Sequence, residues 1–129
     1  MTKTVLDASA LLAWIEAESG AERVQEALES GAALMSAVNW AEVLAKLVDR
    51  GVSAEDRRRI RASLDIEIRP FDENAAFVAA SLRQQTRRHG LSTGDRACLA
   101  LALAEAVPAL TADRTWANVD AAIEVEVIR

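Results

Sequence analysis

Short apolar runs alternate along the chain with longer stretches in which apolar residues recur every three or four positions. The runs predict β-strands and the longer stretches predict amphipathic α-helices. The predicted strands cover residues 5–6, 33–36, 66–68, 108–111 and 123–128. The predicted helices cover residues 10–15, 21–28, 38–48, 72–89 and 94–106, and a further helix begins after Ser53. Such alternation is typical of an α/β fold with a largely parallel sheet between two helix layers.

The residue pattern of the strands also predicts their places in the sheet. Val5 and Leu6 form an apolar run without polar alternation, which favours a central strand buried on both faces. Residues 66–68 alternate between apolar and polar and stop before Pro70, which is typical of an edge strand. Among the helices, residues 97–104 are apolar all round, so we expect this part of the last helix to be buried.

An aspartate follows the predicted central strand directly. Asp7 would stand at the carboxyl end of that strand, which is where open α/β sheets bind ligands. A simpler interpretation is that Asp7 or Ser9 only caps the first helix. The functional interpretation therefore requires other acidic side chains at the same edge of the sheet.

Three more acidic residues are candidates for that edge. Asp113 directly follows the fourth strand, and Glu42 lies on a narrow polar stripe of an otherwise apolar helix. Asp95 stands three residues after Ser92, which is also the spacing of a helix capping box. Taken singly, each acid has an ordinary structural interpretation as a turn residue, a solvated side chain or a cap. Asp72 follows the predicted edge strand, and we assign it to capping alone.

Together, the four acids predict a cation site. Clustered carboxylates raise one another's pKa unless a cation balances their charge. A site with only oxygen ligands selects Mg²⁺ or Mn²⁺ over zinc. Cys98 is the only cysteine, which excludes an internal disulfide and an all-cysteine metal site. A metal ion held by these acids could orient a water for attack on a phosphate ester.

Composition and charge limit the class of protein. With 129 residues, of which 51% are hydrophobic and 27% charged, the chain is expected to form a single globular domain over 1–129. No apolar run approaches the ~20 residues of a membrane helix. The N-terminus does not show the basic segment followed by an apolar stretch that is typical of a signal peptide, so we do not expect secretion by that route. We therefore expect a cytoplasmic protein with no membrane partner. The net charge of −5 argues against a surface that coats nucleic acid, but it is compatible with a nuclease that uses local arginines and a metal.

Four segments carry a resemblance to a known family. They are residues 5–10 (VLDASA), 41–43 (AEV), 91–97 (LSTGDRA) and 110–116 (LTADRTW). In these segments, in their order and in overall length, the chain resembles PIN domains, and specifically the VapC-like ribonuclease toxins of type II toxin–antitoxin systems. The resemblance covers essentially the whole chain.

The resemblance implies a three-layer PIN-like fold with a five-stranded, mostly parallel sheet and an acidic pocket at its carboxyl edge. It implies a metal-dependent endoribonuclease that cleaves RNA with Mg²⁺, or with Mn²⁺ as a substitute. It also implies a homodimer that a cognate antitoxin holds inactive. The implied catalytic and metal-binding acids are Asp7, Glu42, Asp95 and Asp113. Ser9 and Thr111 are implied as supporting hydroxyls in the pocket.

Several alternatives stay open at this point. Arg96 and Arg114 adjoin site acids and are candidate phosphate contacts, whereas the arginines at 57–59 and 61 are more typical of a solvated helix face. A PIN-like module with a weak site, which acts only by binding RNA or a partner protein, would carry the same segments. A receiver-type signalling domain has a similar length and alternation, but it needs a lysine late in the chain, and no lysine follows Lys46.

Overall fold

A five-stranded sheet with the strand order β3-β2-β1-β4-β5 runs through the centre of the computed structural model, which describes residues 2–119 and 122–129. All four pairings between neighbouring strands are parallel. The strands are β1 (Thr4–Leu6), β2 (Ala33–Ser36), β3 (Ile66–Arg69), β4 (Ala109–Thr111) and β5 (Val125–Val127). The predicted α/β fold with a mostly parallel sheet is confirmed.

Helices cover both faces of this sheet. They are α1 (Ala8–Ile15), α2 (Ala21–Glu29), α3 (Ala37–Asp49), α4 (Ala54–Ser63), α5 (Glu73–Ser81), α6 (Arg83–Thr86) and α7 (Thr93–Glu105), with 3₁₀ turns at Arg87–His89 and Arg114–Asn118. Leu6 and Met35 pack with side chains of α1, α2 and α3, whereas Val5 and Leu34 pack with side chains of α5 and α7. Because successive strand residues point to opposite faces, two cores form and the three-layer arrangement follows. None of the described helices is long and apolar enough to cross a membrane.

β1 takes the central place that its sequence predicts. Val5 and Leu6 are fully buried, and β3, which Pro70 follows, lies at the edge of the sheet as predicted. The chain builds one half of the sheet from β1 to β3 and then crosses to β4 on the other side of β1. The strand order therefore reverses between β1 and β4, and such switch points are where open α/β sheets bind ligands. Asp7 and Thr111 stand at the carboxyl ends of these two strands.

Two predictions for the helices are wrong. The predicted helix 72–89 is broken at Leu82, where α5 has ended and α6 has not begun. Leu82 has φ −78° and ψ −7°, away from the helical ψ of about −42°. Its carbonyl accepts the Thr86 N–H at 3.1 Å and also the Thr86 hydroxyl at 2.8 Å, and such an extra side-chain bond often bends a helix. The segment 97–104 is not buried all round, because the last turn of α7 buries Ala102 but leaves Leu103 39% exposed.

Candidate active site

Asp7 is held in place at the end of β1 by three neighbouring groups. Its carboxylate accepts hydrogen bonds from the Ser9 hydroxyl at 2.8 Å, the Ala10 N–H at 2.8 Å and the Thr111 hydroxyl at 2.6 Å. The bond from Ala10 makes Asp7 the N-cap of α1, as one of the two interpretations of this residue predicts. The bond from Thr111 links the end of β1 to the end of β4, so Asp7 also lies at the point where the strand order reverses.

The two hydroxyls that hold Asp7 are themselves bonded to the loop after β4. Ser9 Oγ accepts a hydrogen bond from the Ala112 N–H at 2.9 Å, and Thr111 Oγ1 accepts one from the Asp113 N–H at 3.0 Å. Each hydroxyl therefore donates to Asp7 and accepts from the main chain. This arrangement fixes the Asp7 carboxylate in one orientation.

Burial raises the pKa of Asp7 from its ordinary value of 3.8 to about 6. The residue is only 4% exposed, and loss of hydration disfavours the charged carboxylate. Hydrogen bonds from Thr111, Ala10 and Ser9 lower the pKa, and the negative charge of Asp95 raises it further. The carboxylates of Asp7 and Asp95 are therefore within electrostatic reach of each other.

Glu42, on α3, lies against the first turn of α7. The Asn39 amide donates to Glu42 Oε1 at 2.8 Å and to the Gly94 carbonyl at 3.0 Å. A Cβ at Gly94 would lie 2.7 Å from Glu42 Oε2, so the glycine leaves room for the carboxylate in its present position. Asn39 is 1% exposed, and its Oδ1 atom has no hydrogen-bond partner among the described residues. The sequence pattern placed Asn39 only on a polar stripe, and its three-residue spacing from Glu42 is the signal that could have linked the two.

Asp95 and Asp113 are caps as well as candidate site acids. Asp95 Oδ2 accepts from the Ser92 N–H at 2.9 Å, and Ser92 Oγ accepts from the Asp95 N–H at 3.1 Å, so the predicted capping box is confirmed. Asp113 Oδ1 accepts from the Thr115 N–H at 2.9 Å at the start of a 3₁₀ turn. Its carboxylate thus faces Thr115, and its link to the Asp7 network runs through its own N–H and Thr111.

The Cys98 thiol, buried on α7, lies within the electric field of three of the four acids. Burial raises the pKa of Cys98, and the charges of Asp7, Asp95 and Glu42 raise it further. The negative charges of Asp7, Glu42 and Asp95 thus all act on one buried side chain of α7.

Comparison with known proteins identifies the family. The sequence model of the PIN domain matches residues 4–122. The chain belongs to the PIN domain family. The crystal structure of a member of the VapBC family of toxin–antitoxin systems, VapBC-5 from Mycobacterium tuberculosis, is 30% identical over 100% of this chain and 99% of that chain, with a TM-score of 0.63. The predicted resemblance to VapC-like PIN proteins is confirmed.

Other toxin–antitoxin structures share the fold of this PIN domain at lower identity. DNA-bound VapBC from Salmonella typhimurium is 16% identical over 100% of both chains, with a TM-score of 0.75. VapBC2 from Rickettsia felis, bound to a promoter DNA fragment, is 18% identical over 99% of this chain and 100% of that chain, with a TM-score of 0.73. No curated protein sequence is significantly similar to the chain. PIN domains are generally nucleases that use divalent metal ions, so the family supports the class of chemistry that the acids predict.

The donor set of this PIN domain fits a hard divalent cation. Asp7, Glu42 and Asp95 offer only oxygen, which Mg²⁺ and Mn²⁺ prefer, and the unpaired Asn39 Oδ1 adds a neutral oxygen beside Glu42. As they are placed, no three acidic, histidine or cysteine side chains of residues 2–119 and 122–129 are close enough to surround one ion. A shared cation therefore requires these side chains to rotate.

The two arginines predicted as phosphate contacts have different surroundings. Arg96 is 8% exposed and donates to the Leu91 carbonyl at 2.8 Å and to Thr93 Oγ1 at 3.2 Å. Arg114 is more exposed and donates to the Arg129 carbonyl at 3.1 Å. The Arg96 side chain is thus buried in the PIN domain next to Asp95 in sequence, whereas Arg114 lies on the surface of the domain.

Proposed function

We propose that this PIN domain is the toxin of a toxin–antitoxin pair and a Mg²⁺-dependent endoribonuclease that hydrolyses RNA phosphodiester bonds. The observation that carries the proposal is Asp7, buried where the strand order reverses and fixed there by the Ser9 and Thr111 hydroxyls. Glu42 packs against Gly94 in the first turn of α7, the turn that also carries Asp95. Membership of a nuclease family and 30% identity to a VapBC protein support it. Mn²⁺ is expected to substitute for Mg²⁺ because both ions take oxygen ligands.

Each group of the site has a role in this proposal. The residues that would hold the metal are Asp7, Glu42, Asp95 and Asp113. A divalent cation bound by them supplies an acidic water and offsets charge on a phosphate. Ser9 and Thr111 fix the orientation of Asp7, and Asn39 fixes Glu42. The N-terminus of α7, with its partial positive charge, favours the approach of an anionic substrate.

The Asp95→Asn variant tests the proposal, and Asp72→Asn is its matched control. Asp72 is the N-cap of α5, and Asp95 accepts the Ser92 N–H in the capping box of α7. An asparagine side-chain oxygen can accept the same hydrogen bonds, so both variants should fold. We expect Asp95→Asn to cleave a panel of labelled RNAs roughly 100-fold more slowly or worse, because several kcal/mol of charge stabilisation depend on the metal. Asp72→Asn should cleave at the rate of the unsubstituted chain.

Two results would contradict this assignment. One is cleavage that persists in excess EDTA, and the other is an equal rate for the two variants. If calorimetry detects Mg²⁺ binding and the chain binds RNA without cleaving it in Mg²⁺ or Mn²⁺, the alternative of a PIN-like module with a weak site is supported instead. That module would act only by binding RNA or a partner protein.

We also propose that the chain forms a homodimer in the cytoplasm and that a cognate antitoxin holds it inactive. The related structures are described as toxin–antitoxin complexes, which supports the antitoxin. Phe77 on α5 is 73% exposed and Leu103 on the neighbouring α7 is 39% exposed, and exposed large apolar side chains favour a partner surface. Sedimentation of the chain alone, and with the protein of the adjoining gene, tests both partners. A monomer at all concentrations, or no complex, would contradict the respective assignment.

A further inference from the structure

Three arginines surround an open pocket next to the candidate active site. The pocket has a volume of about 310 Å³. Its lining residues are Arg83, Arg87, Leu91, Ser92, Thr93 and Arg96. Arg83 lies on α6, Arg87 begins the 3₁₀ turn that follows, and Arg96 lies on α7. We call this site the arginine pocket.

The positive charge of the arginine pocket is not balanced by the protein. Among residues 2–119 and 122–129, none of its three guanidinium groups forms an ion pair with a carboxylate. Arg96 is the unusual one, because it is only 8% exposed and its described bonds go to a carbonyl and a hydroxyl. A buried charge is normally paired, since the loss of its hydration is costly. An anion in the pocket would supply this counter-charge.

The hydroxyls of Ser92 and Thr93, at the N-terminus of α7, add hydrogen-bond donors to the arginine pocket. Ser92 Oγ accepts from the Asp95 N–H, and Thr93 Oγ1 accepts from Arg96. Each hydroxyl thereby uses a lone pair, and its O–H hydrogen stays available to donate outward. Several donors around one space, with arginine forks among them, match the acceptor oxygens of a phosphate group.

We propose that the arginine pocket binds a backbone phosphate of the RNA strand, next to the phosphate that is cleaved; this inference rests on the proposed ribonuclease function. Ser92 lines the pocket, and its N–H donates to Asp95 Oδ2 at 2.9 Å, so the pocket adjoins a candidate site acid and one strand can reach both. Contacts to phosphate position a strand without reading its bases. The arginine pocket therefore contributes affinity and register to cleavage, and no sequence preference.

The double variant Arg83→Ala/Arg87→Ala tests the inference. Both side chains are exposed, so the fold should be kept. Binding of a fluorescein-labelled single-stranded RNA is measured by anisotropy in Mg²⁺, in an Asp7→Asn background that keeps the RNA intact. We expect a loss of affinity of roughly tenfold, and a slope of log K against log salt that is smaller by about 0.7, the value for one phosphate contact on a single strand. Arg58→Ala/Arg59→Ala, with the same change in charge on exposed residues of α4, should stay within about twofold of the parent.

A second readout does not depend on RNA. Inorganic phosphate should raise the melting temperature of the unsubstituted chain and leave that of Arg83→Ala/Arg87→Ala unchanged. Equal RNA affinity for the double variant and its α4 control would overturn the inference, while metal-dependent cleavage by the unsubstituted chain would still support the ribonuclease. If the unsubstituted chain neither binds nor cleaves RNA, both proposals fail. If the double variant loses only its complex with the protein of the adjoining gene, the pocket serves a protein partner and the RNA assignment is wrong.

Discussion

At the scale of single residues, the candidate acids each carry a structural bond as well as a charge. Asp7 caps α1, Asp113 caps a 3₁₀ turn, and Asp95 is the N3 partner of Ser92 in the capping box of α7. In each case one carboxylate oxygen accepts the capping hydrogen bond, and this bond also orients the second carboxylate oxygen. The local fold and the proposed metal site therefore depend on the same atoms, and a neutral asparagine can separate the two roles because it still caps.

Asn39→Ala tests how far Glu42 depends on its neighbour. The substitution removes the bonds to Glu42 and to the Gly94 carbonyl, so Glu42 gains rotational freedom and a buried carbonyl loses its partner. Calorimetry should show Mg²⁺ affinity weakened by roughly tenfold or more, as is usual for residues that orient a metal ligand. The free energy of unfolding should fall by about 1 kcal/mol. Asn74→Ala, on the exposed side of α5, should alter neither quantity, and unchanged Mg²⁺ affinity in Asn39→Ala would refute its positioning role.

The caps could be predicted from sequence because they join residues only two or three positions apart. The role of Asn39 could not, because its second bond reaches Gly94, 55 residues further along the chain. A polar residue on a helix stripe gives no sign of such a partner. The burial of Arg96 was not predicted either, although its bonds to Leu91 and Thr93 are local, because the sequence pattern does not show that the layers cover this side of α7.

At the scale of elements, the first turn of α7 gathers the site. Glu42 of α3 packs against this turn, Asp95 belongs to it, and its residues line part of the arginine pocket. This close approach of α3 and α7 is possible because Gly94 has no side chain. The helix start therefore acts as a spacer that sets where the Glu42 carboxylate can lie.

Gly94→Ala should separate the stability of this turn from its activity. Alanine favours a helix over glycine by up to about 1 kcal/mol, and the Glu42 carboxylate that it meets is the end of a flexible side chain. We therefore expect the free energy of unfolding to change by less than about 1 kcal/mol, while Mg²⁺-dependent cleavage falls as far as it does in Glu42→Ala. The double variant Gly94→Ala/Glu42→Ala should cleave no more slowly than Glu42→Ala alone, because both substitutions act through the Glu42 side chain. Full activity in Gly94→Ala would show that the position of Glu42 does not matter.

Most elements could be predicted because hydrophobic periodicity is local. The central position of β1 and the edge position of β3 follow from their apolar and alternating patterns. The break at Leu82 could not be predicted, because the backbone departs from helical geometry at a single residue and the hydrophobic pattern carries no mark of it. The exposure of Leu103 depends on which side of α7 the sheet and α5 leave uncovered, and this is known only once the layers are assembled.

At the scale of the whole molecule, the stability of the metal-free chain should depend on pH through Asp7. The pKa of Asp7 is about 6 in the folded chain against an ordinary 3.8, so between these values the folded state binds more protons than the unfolded state. The contribution of Asp7 to the free energy of unfolding should therefore be highest below pH 4. It should fall between pH 4 and pH 6 and stay at that lower level above pH 6. The difference amounts to about 3 kcal/mol, at about 1.36 kcal/mol per pKa unit.

Urea unfolding in EDTA across this pH range provides the measurement. Asp7→Asn removes the titrating group, so its stability relative to the parent should rise by about 3 kcal/mol from low to neutral pH. Thr111→Val removes a bond that lowers the pKa of Asp7, and the fall in stability should then extend to higher pH. Parallel pH curves for the parent and Asp7→Asn would contradict the assignment of the buried charge.

The strand order has a consequence for protein synthesis. The hydrogen bond between Thr111 and Asp7 joins residues that are 104 positions apart, and β4 is the neighbour that encloses β1 on its second side. A nascent chain on the ribosome cannot complete the acidic pocket before β4 has emerged, and a product cut short by a premature stop codon before that strand never will. Translation order alone thus keeps the candidate site incomplete until the strand that closes it has been made.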